Sequence, residues 1–499
     1  MTRAIVPPLW GSLSLDREGE RSLQAQVVAY FRAAIVEGRM RRGLRLPSSR
    51  QLACDHAISR TTAVEAYERL IAEGYLVSRP GSGIFVAERI PEDFTPEGAA
   101  RVRPPAPQGG TASRVEILDL RNYHLPLAPG MPAVDLFPWA EWNRHIAAVL
   151  RDRPHSEIAH GDPFGERPLR EAITDYLAAM KGIRCDPDQI VVVGGTVQIF
   201  ELALELMRGP AGRAIIEDPI YPFVRERIPQ MGYRLVGAPI DADGMDVDRA
   251  LALAPDAEFA FVSPSNNVPS GTCLSLARRK ALVDWADRTG AWIIENEFDG
   301  DFRFTSRPLP TCYSLSRTNR VILIGSMSKP VGPGLRLGYL LLPHALVERA
   351  HGLNVPQASV SAQLAMARFC ASGGFATHLR HLRTVHAHRR ALLLAAVERH
   401  MAGLVELVHA PEAGLRVVLS LPPGTDDMGL VIAAHAIAVK MEALSGCFVD
   451  RPRQRGLVLG FGSTPEDEIA PAIERLAALV RAHLENCAGA ATGPANRST

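Results

Sequence analysis

The spacing of apolar residues changes character along the chain. Leu23, Val27, Tyr30, Phe31, Ala34 and Ile35 recur at helical intervals, and Gly38 closes the run. Ser48 followed by Gln51 has the form of a capping box, which predicts a second helix from there. A third is predicted from Ser59, with Ala63, Tyr67, Leu70 and Ile71 on one face and Gly74 as its stop. Residues 75–77 and 84–86 then read as two strands around the turn Arg79-Pro80-Gly81-Ser82-Gly83. Three short helices and a hairpin predict a winged helix-turn-helix over residues 1–88.

Residues 89–120 are rich in Pro, Ala and Gly without periodicity, which predicts a flexible linker and a domain boundary. Beyond it, over 121–485, short β-branched runs (190–193, 214–216, 259–262, 292–294, 321–324) alternate with helical patterns such as 275–289. That alternation predicts an α/β domain, a mostly parallel sheet with helices on both faces. Sites in such sheets gather at the carboxyl ends of the strands. Residues 486–499 repeat the linker composition and read as a disordered tail.

Composition narrows the picture. A chain of 499 residues is long enough for two or three domains. Its 47% apolar and 22% charged content is ordinary for a globular protein. A net charge of +1 makes any basic face a local feature. The bias is local: residues 1–88 contain no lysine, but their arginines outnumber their acids. Seven cysteines without a CxxC suggest reduced thiols, and no long apolar run suggests a signal peptide or membrane span. A cytoplasmic protein is expected.

Only four of the 55 basic residues are lysines, so Lys329, in the Gly/Ser loop after the 321–324 strand, stands out. An amine can form an imine; a guanidinium cannot. Ser326 and Arg336 beside it are groups that a phosphate requires. Carbonyl capture next to phosphate capture suggests pyridoxal phosphate (PLP). Gly194-Gly195-Thr196, between a strand and a helix, offers a second anion cradle. Tyr221, on a proline-stiffened loop, is placed to cover a ring, and Asn266 or Asn267 to bond a phenolic oxygen. At the other end of the chain, Ser59, Arg60, Thr61 and Thr62 open the third helix, the end that meets bases and phosphates in a major groove. Arg50 and Arg79 suit phosphate contacts. The histidines at 378, 381, 386 and 388 read as a solvated helix face rather than a metal site, and Arg416 as a carboxylate clamp or, equally, a structural arginine.

The stretch LRLPSSRQLACDHAISRTTAVEAYERLIAEGYLVSRPGSGIFVAE closely resembles the DNA-binding domain of the GntR family of bacterial regulators. The resemblance implies Arg50, Arg60 and Thr62 as DNA contacts, with the Gly81–Gly83 wing near the minor groove. HGDPFGERPLREAI, IEDPIYPF, SPSNNVPSGTCLSLARR, IIENEFDGDFRF and GSMSKPVGPGLRLGYLL resemble, in order, the fold type I aminotransferases. Together the two halves look like the MocR/GabR subfamily of GntR regulators. That resemblance implies Lys329 as the internal-aldimine lysine, with Gly195, Thr196, Ser326 and Arg336 around the phosphate. It also implies Tyr221 on the ring and a homodimer; of the two loop asparagines Asn267 is the one expected at the cofactor, and a small amine or amino acid is expected as effector of operator binding.

Three positions depart from the family pattern. Asn296 stands where an aspartate normally meets the pyridine nitrogen, Phe298 where a tyrosine offers its hydroxyl to the phenolic oxygen, and His160 where a tyrosine reaches the neighbouring subunit's phosphate. A one-residue register error would instead bring Glu295 or Glu297 to the ring. PLP binding with weak or absent transamination is the expectation. The alternatives are a working aminotransferase with a DNA-binding appendage, or a DNA-binding protein whose sensor has lost PLP.

Overall fold

The computed structural model describes residues 13–94 and 123–491, apart from positions 18, 20, 208, 210–211, 305–308, 354, 356 and 410–412. The chain divides into two units, Met1–Ser113 and Arg114–Thr499.

The first unit runs α1 (Leu23–Val36), α2 (Ser49–Asp55), α3 (Arg60–Ala72), β1 (Leu76–Arg79) and β2 (Gly83–Val86). Each helix opens on a serine whose side chain accepts from a backbone N–H of the first turn: Ser22 from Ala25, Ser48 from Gln51, Ser59 from Thr62. The predicted capping box is only half made. Gln51 turns its amide to Asp55 at 2.6 Å instead of back to Ser48. Phe31, Leu52, Tyr67 and Leu70 are buried in the small core. The Tyr67 hydroxyl donates to the Pro47 carbonyl at 3.1 Å, tying α3 to the turn before α2. Arg45 forms an isolated antiparallel bridge to Phe85, outside the two-stranded wing. The expected boundary at 88 falls too early, because Ile90 is buried and Asp93 pairs with Arg42. Residues 95–120 of the expected linker lie outside the described residues.

The second unit is built on an eight-stranded sheet ordered β3-β10-β9-β8-β7-β4-β5-β6. Its strands are β3 (Ile190–Val193), β4 (Arg213–Asp218), β5 (Arg234–Asp241), β6 (Gly244–Met245), β7 (Phe259–Val262), β8 (Trp292–Asn296), β9 (Val321–Ser326) and β10 (Gly338–Leu341). The pairs among β5, β4, β7, β8 and β9 are parallel, whereas β10 runs antiparallel between β9 and β3. Helices α4 (Trp139–Asp152), α5 (His155–Ala159) and α6 (Arg167–Lys181) precede the sheet in the chain. Between its strands come α7 (Thr196–Met207), α8 (Pro222–Gln230), α9 (Val247–Leu253), α10 (Leu276–Thr289) and α11 (Cys312–Leu315). Strand residues alternate between two cores: Ile216, Phe261 and Ile294 join α7 and α8, while Ile215, Ala260 and Ile293 join α9 and α10. That sandwiching explains why the parallel strands read as unbroken apolar runs.

After α12 (His344–His351), α13 (Val360–Ala371) and the long α14 (Gly374–Met401) comes a four-stranded antiparallel sheet. Its strands are β11 (Glu406–His409), β12 (Arg416–Ser420), β13 (Glu442–Ala443) and β14 (Gly456–Gly460), in the order β11-β12-β14-β13. Leu382, Leu393, Leu430 and Ile473, from α14, α15 (Asp427–Ala434) and α16 (Glu466–Ala491), share a core with Val417, Leu419, Leu457 and Leu459 of that sheet. The last helix continues to Ala491, so residues 486–491 are helical where a disordered tail was expected.

Candidate functional site

The cavity at the carboxyl ends of β4, β7, β8 and β9 is lined by Thr196, Tyr221, Asn266, Asn296, Lys329 and Arg416, among others. Its volume is about 160 Å³. Lys329 and Arg416 reach across it to one carboxylate: Lys329 Nζ lies 3.1 Å from Asp299 Oδ1, and Arg416 Nη1 donates to Asp299 Oδ2 at 2.7 Å. Burial pushes the Lys329 amine below the usual lysine range and Arg416 adds to that, while Asp299 opposes. Burial would raise the Asp299 carboxyl, but the charges of Lys329 and Arg416 win and hold it low. The site therefore sets an amine of lowered proton affinity beside an acid whose proton affinity is lowered as well.

The anion end forms where three strands meet. Val193, Gly338 and Ser326 sit opposite one another across β3, β10 and β9. That register puts the Gly194-Gly195-Thr196 turn and Ser326 at the same end of the sheet. Gly195 has φ +120°, and a Cβ there would lie 3.0 Å from the Arg336 guanidinium. Arg336 donates to Gln198 Oε1 at 3.0 Å, and Ser326 Oγ accepts from the Lys329 N–H at 3.1 Å. A small residue at 195 is thus what lets the guanidinium lie against the turn.

Strand parity settles which way the 295–298 segment faces. Asn296 and Phe298 line the cavity. Glu295 is turned away, accepting from the N–H groups of Cys312 at 2.8 Å and Tyr313 at 2.9 Å. Glu297 takes the Lys181 ammonium at 2.6 Å. Neither glutamate faces the site, so the register alternative is ruled out. Asn296 Nδ2 donates to Ser263 Oγ at 3.1 Å, and its Oδ1 accepts from the Phe298 N–H at 3.3 Å.

Other expectations need correction. Asn267 does not line the cavity; its Oδ1 accepts from the Ser270 N–H and hydroxyl and holds its own loop. Asn266 lines the cavity instead, and its buried Oδ1 has no hydrogen-bond partner among the described residues. His160, expected at the phosphate of a neighbouring subunit, keeps that expectation: it is exposed at the C-terminal end of α5, outside the cavity of its own chain. Two of the four clustered histidines are buried, contrary to a solvated face: His378 Nε2 bonds the Pro330 carbonyl at 2.9 Å, and His386 Nε2 accepts from the Ala133 N–H at 3.1 Å. Asp299 carries no distinct sequence signal among its acidic neighbours, and the sequence is equally compatible with a clamp and a structural role for Arg416. Tyr221 lines the cavity, its hydroxyl pKa raised by burial.

The donor set fits PLP. It offers an amine of lowered proton affinity, an anion cradle at a helix start, an aromatic wall, and one buried amide oxygen left for an occupant.

In the first unit Arg50, Arg60, Thr61 and Arg79 are exposed, as a DNA-facing surface requires. Ser59 and Thr62 are engaged with each other, hydroxyl to hydroxyl at 2.8 Å, so Ser59 serves the helix start. The wing turn has Gly81 at φ +72° and Gly83 at φ +111°. Arg79 lies over the Phe85 ring at 4.7 Å. Arg45, absent from the sequence expectations, lies against the wing, its Nε 3.2 Å from where a Gly83 Cβ would be.

Comparison with known proteins agrees with this geometry. Residues 23–86 match the family of bacterial regulatory proteins, gntR family, and residues 146–445 match aminotransferase class I and II. The probable rhizopine catabolism regulatory protein MocR of Rhizobium meliloti is 30% identical over 90% of this chain and 92% of its own length. The pyridoxine biosynthesis transcriptional regulator PdxR of Corynebacterium glutamicum is 31% identical over 92% and 96%. Among solved structures, an archaeal alanine:glyoxylate aminotransferase shares the fold of the second unit with a TM-score of 0.67 at 24% identity, over 72% of this chain and 91% of that one. A unit of the GntR kind and an aminotransferase-type domain, matched over 90% and 92% of the chain by regulators of that build, make this chain a member of the MocR/GabR subfamily of GntR transcriptional regulators.

Proposed function

We propose that this regulator holds PLP at Lys329 and that its grip on operator DNA responds to PLP, or to an amine or amino acid that reacts with it. The observation that carries the reading is the largely buried Lys329 amine, paired with Asp299 in a cavity beside a glycine turn against which the Arg336 guanidinium lies. When bound, PLP supplies an aldehyde that a lysine amine and a competing free amine can each take up. Gly195, Thr196, Ser326 and Arg336 would hold its phosphate, and Tyr221 would cover the ring. Asn266 would take the place expected of Asn267 near the phenolic oxygen. Asp299 keeps the lysine oriented and gives up Arg416 if a ligand carboxylate competes for that guanidinium. A homodimer is part of this reading, since His160 can serve a cofactor only from a second copy. The name of the PdxR relative, a regulator of pyridoxine biosynthesis, is consistent with such a signal.

A sustained aminotransferase is the weaker reading. Ring chemistry that stabilises a carbanion needs an acid at the pyridine nitrogen, and the residue in the cavity is Asn296, with both flanking glutamates bonded elsewhere. The test is a titration of purified protein with PLP, followed by absorbance and borohydride reduction, in wild type and Lys329→Ala. Operator affinity is measured at each stage against a panel of amines. A reducible adduct at Lys329 and a shift in operator affinity support the proposal. A colourless protein with no adduct ends it, and turnover at the rate of a dedicated transaminase replaces the sensor with an enzyme.

A further inference from the structure

A second cavity, of about 680 Å³, opens where α4, α6, α13 and α14 meet, away from the Lys329 site. Its size is that of a small-molecule site. Its floor is apolar: Leu364, Phe375 and Leu379 are largely buried there, with Tyr176 and Met180 beside them. Its charges are unevenly committed. Arg153 pairs with Glu157 at 2.8 Å, Arg368 with Asp152 at 3.2 Å, and Glu171 with Arg167 at 2.8 Å. Arg380 and Arg383, one turn apart on α14, have no carboxylate partner among the described residues. Arg380 donates one N–H to Thr377 Oγ1 at 3.2 Å. Arg383 uses only its Nε, which donates to the Asp301 carbonyl at 2.8 Å, so its terminal N–H groups are free among the described residues.

We infer that this cleft binds a monocarboxylate with an apolar chain, its head on Arg380 and Arg383 and its chain along Leu364, Phe375 and Met180. Two neighbouring guanidiniums over an apolar floor recognise an anionic head with a hydrocarbon body. Asp175, on the facing wall of α6, disfavours a second anionic group. The cleft also has a mechanical link to the first site. Arg383 and the Tyr176 hydroxyl both hold Asp301, and Lys181 ties Asp301 to Glu297. Glu297 and Asp301 are the back of the segment whose front presents Asn296, Phe298 and Asp299 to Lys329. A carboxylate on Arg383 therefore bears on the segment that positions Asp299.

The test uses the full-length protein and decanoate, with decylamine as the opposite-charge control and the variants Arg380→Glu and Ala367→Trp. Calorimetry is the readout, so the result does not depend on PLP. The expected outcome is saturable binding of one decanoate per chain, no comparable binding of decylamine, and at least a tenfold loss of affinity in each variant. Circular dichroism matching wild type confirms that the variants fold. Absence of saturable decanoate binding overturns the proposal, as does equal binding of decylamine or affinity unchanged in both folded variants. If a second copy of the chain covers the cleft, the first of those results is obtained.

Discussion

At the residue scale, the departure that matters most is Asn296. It faces the cavity, and its amide is fixed between Ser263 Oγ and the Phe298 N–H. An amide cannot act as the counter-charge of a protonated pyridine ring, so restoring an acid should restore chemistry. Asn296→Asp is expected to speed single-turnover reaction of the PLP-loaded protein with an amino donor by about tenfold or more, equivalent to about 1.4 kcal/mol of barrier. Stopped-flow absorbance checks it, and an unchanged rate would mean that another feature limits the chemistry. Arg45 makes a second residue-scale case. It is exposed beside the wing, with no ion pair among the described residues. Arg45→Ala should weaken operator and non-operator DNA alike and lower the slope of log affinity against log salt by about 1. Loss confined to the operator would instead mark it as a base reader. Part of this detail was legible beforehand. The alternation in Ile293-Ile294-Glu295-Asn296-Glu297-Phe298 already puts both glutamates on the face opposite Asn296. The exchange of Asn266 for Asn267 was not legible, because a turn has no fixed parity and both residues suit one. Asp299 meets Lys329 only through the sheet, thirty positions later in the chain.

At the scale of elements, the buried runs were plain in the sequence. β3 and β7 begin and end at the residues expected, and α10 opens one residue after its Ser275 cap. β5 escaped because its run, Arg234–Asp241, is interrupted by Gly237 and Pro239 and only half-buried. The capping box failed for a local reason: Gln51 has Asp55 one turn away as a competing acceptor. The end of β4 carries a prediction about pH. Glu217 is buried and accepts from the Ser263 N–H at 3.0 Å, and burial raises its carboxyl to about 7, against the lowering effects of Asn267 and that N–H. Between the ordinary glutamate value and about 7 the unfolded chain has lost this proton while the folded chain keeps it. Stability must therefore fall as pH rises through that window. Relative to wild type, Glu217→Gln should gain stability on going from pH 5 to pH 8, by at most roughly 3 kcal/mol. Denaturant melts at the two pH values measure the difference. Glu295, pushed up to about 7 by burial and by Glu297, contributes a slope of the same sign in both proteins and cancels from the comparison. A Glu217→Gln difference independent of pH would mean that Glu217 is ionised throughout.

For the whole molecule, the two units have separate cores, one around Phe31 and Tyr67, the other around the eight-stranded sheet. Length pointed to two or three domains, and the Pro/Ala/Gly stretch at 89–120 was expected to separate them. The exact edge was not readable, because Ile90 and Asp93 attach to the first unit through contacts distant in sequence. Separate cores have a thermodynamic consequence. A ligand that binds one folded unit stabilises that unit alone, by about 2.7 kcal/mol at a hundred times its dissociation constant. Every residue proposed to hold PLP within one chain lies beyond residue 194, so saturating PLP should raise only the transition of the second unit in a calorimetric melt. Lys329→Ala should abolish that rise and leave the first transition where it was. A protein that communicates ligand to DNA must nevertheless connect the two units energetically. With operator bound, any coupling free energy must appear reciprocally, as a change in PLP affinity equal in factor to the change PLP makes in operator affinity. Measuring both factors on the same protein decides the matter. If neither PLP nor any amine of the panel shifts operator affinity, and operator leaves PLP affinity unchanged, the sensing proposed for Lys329 is refuted.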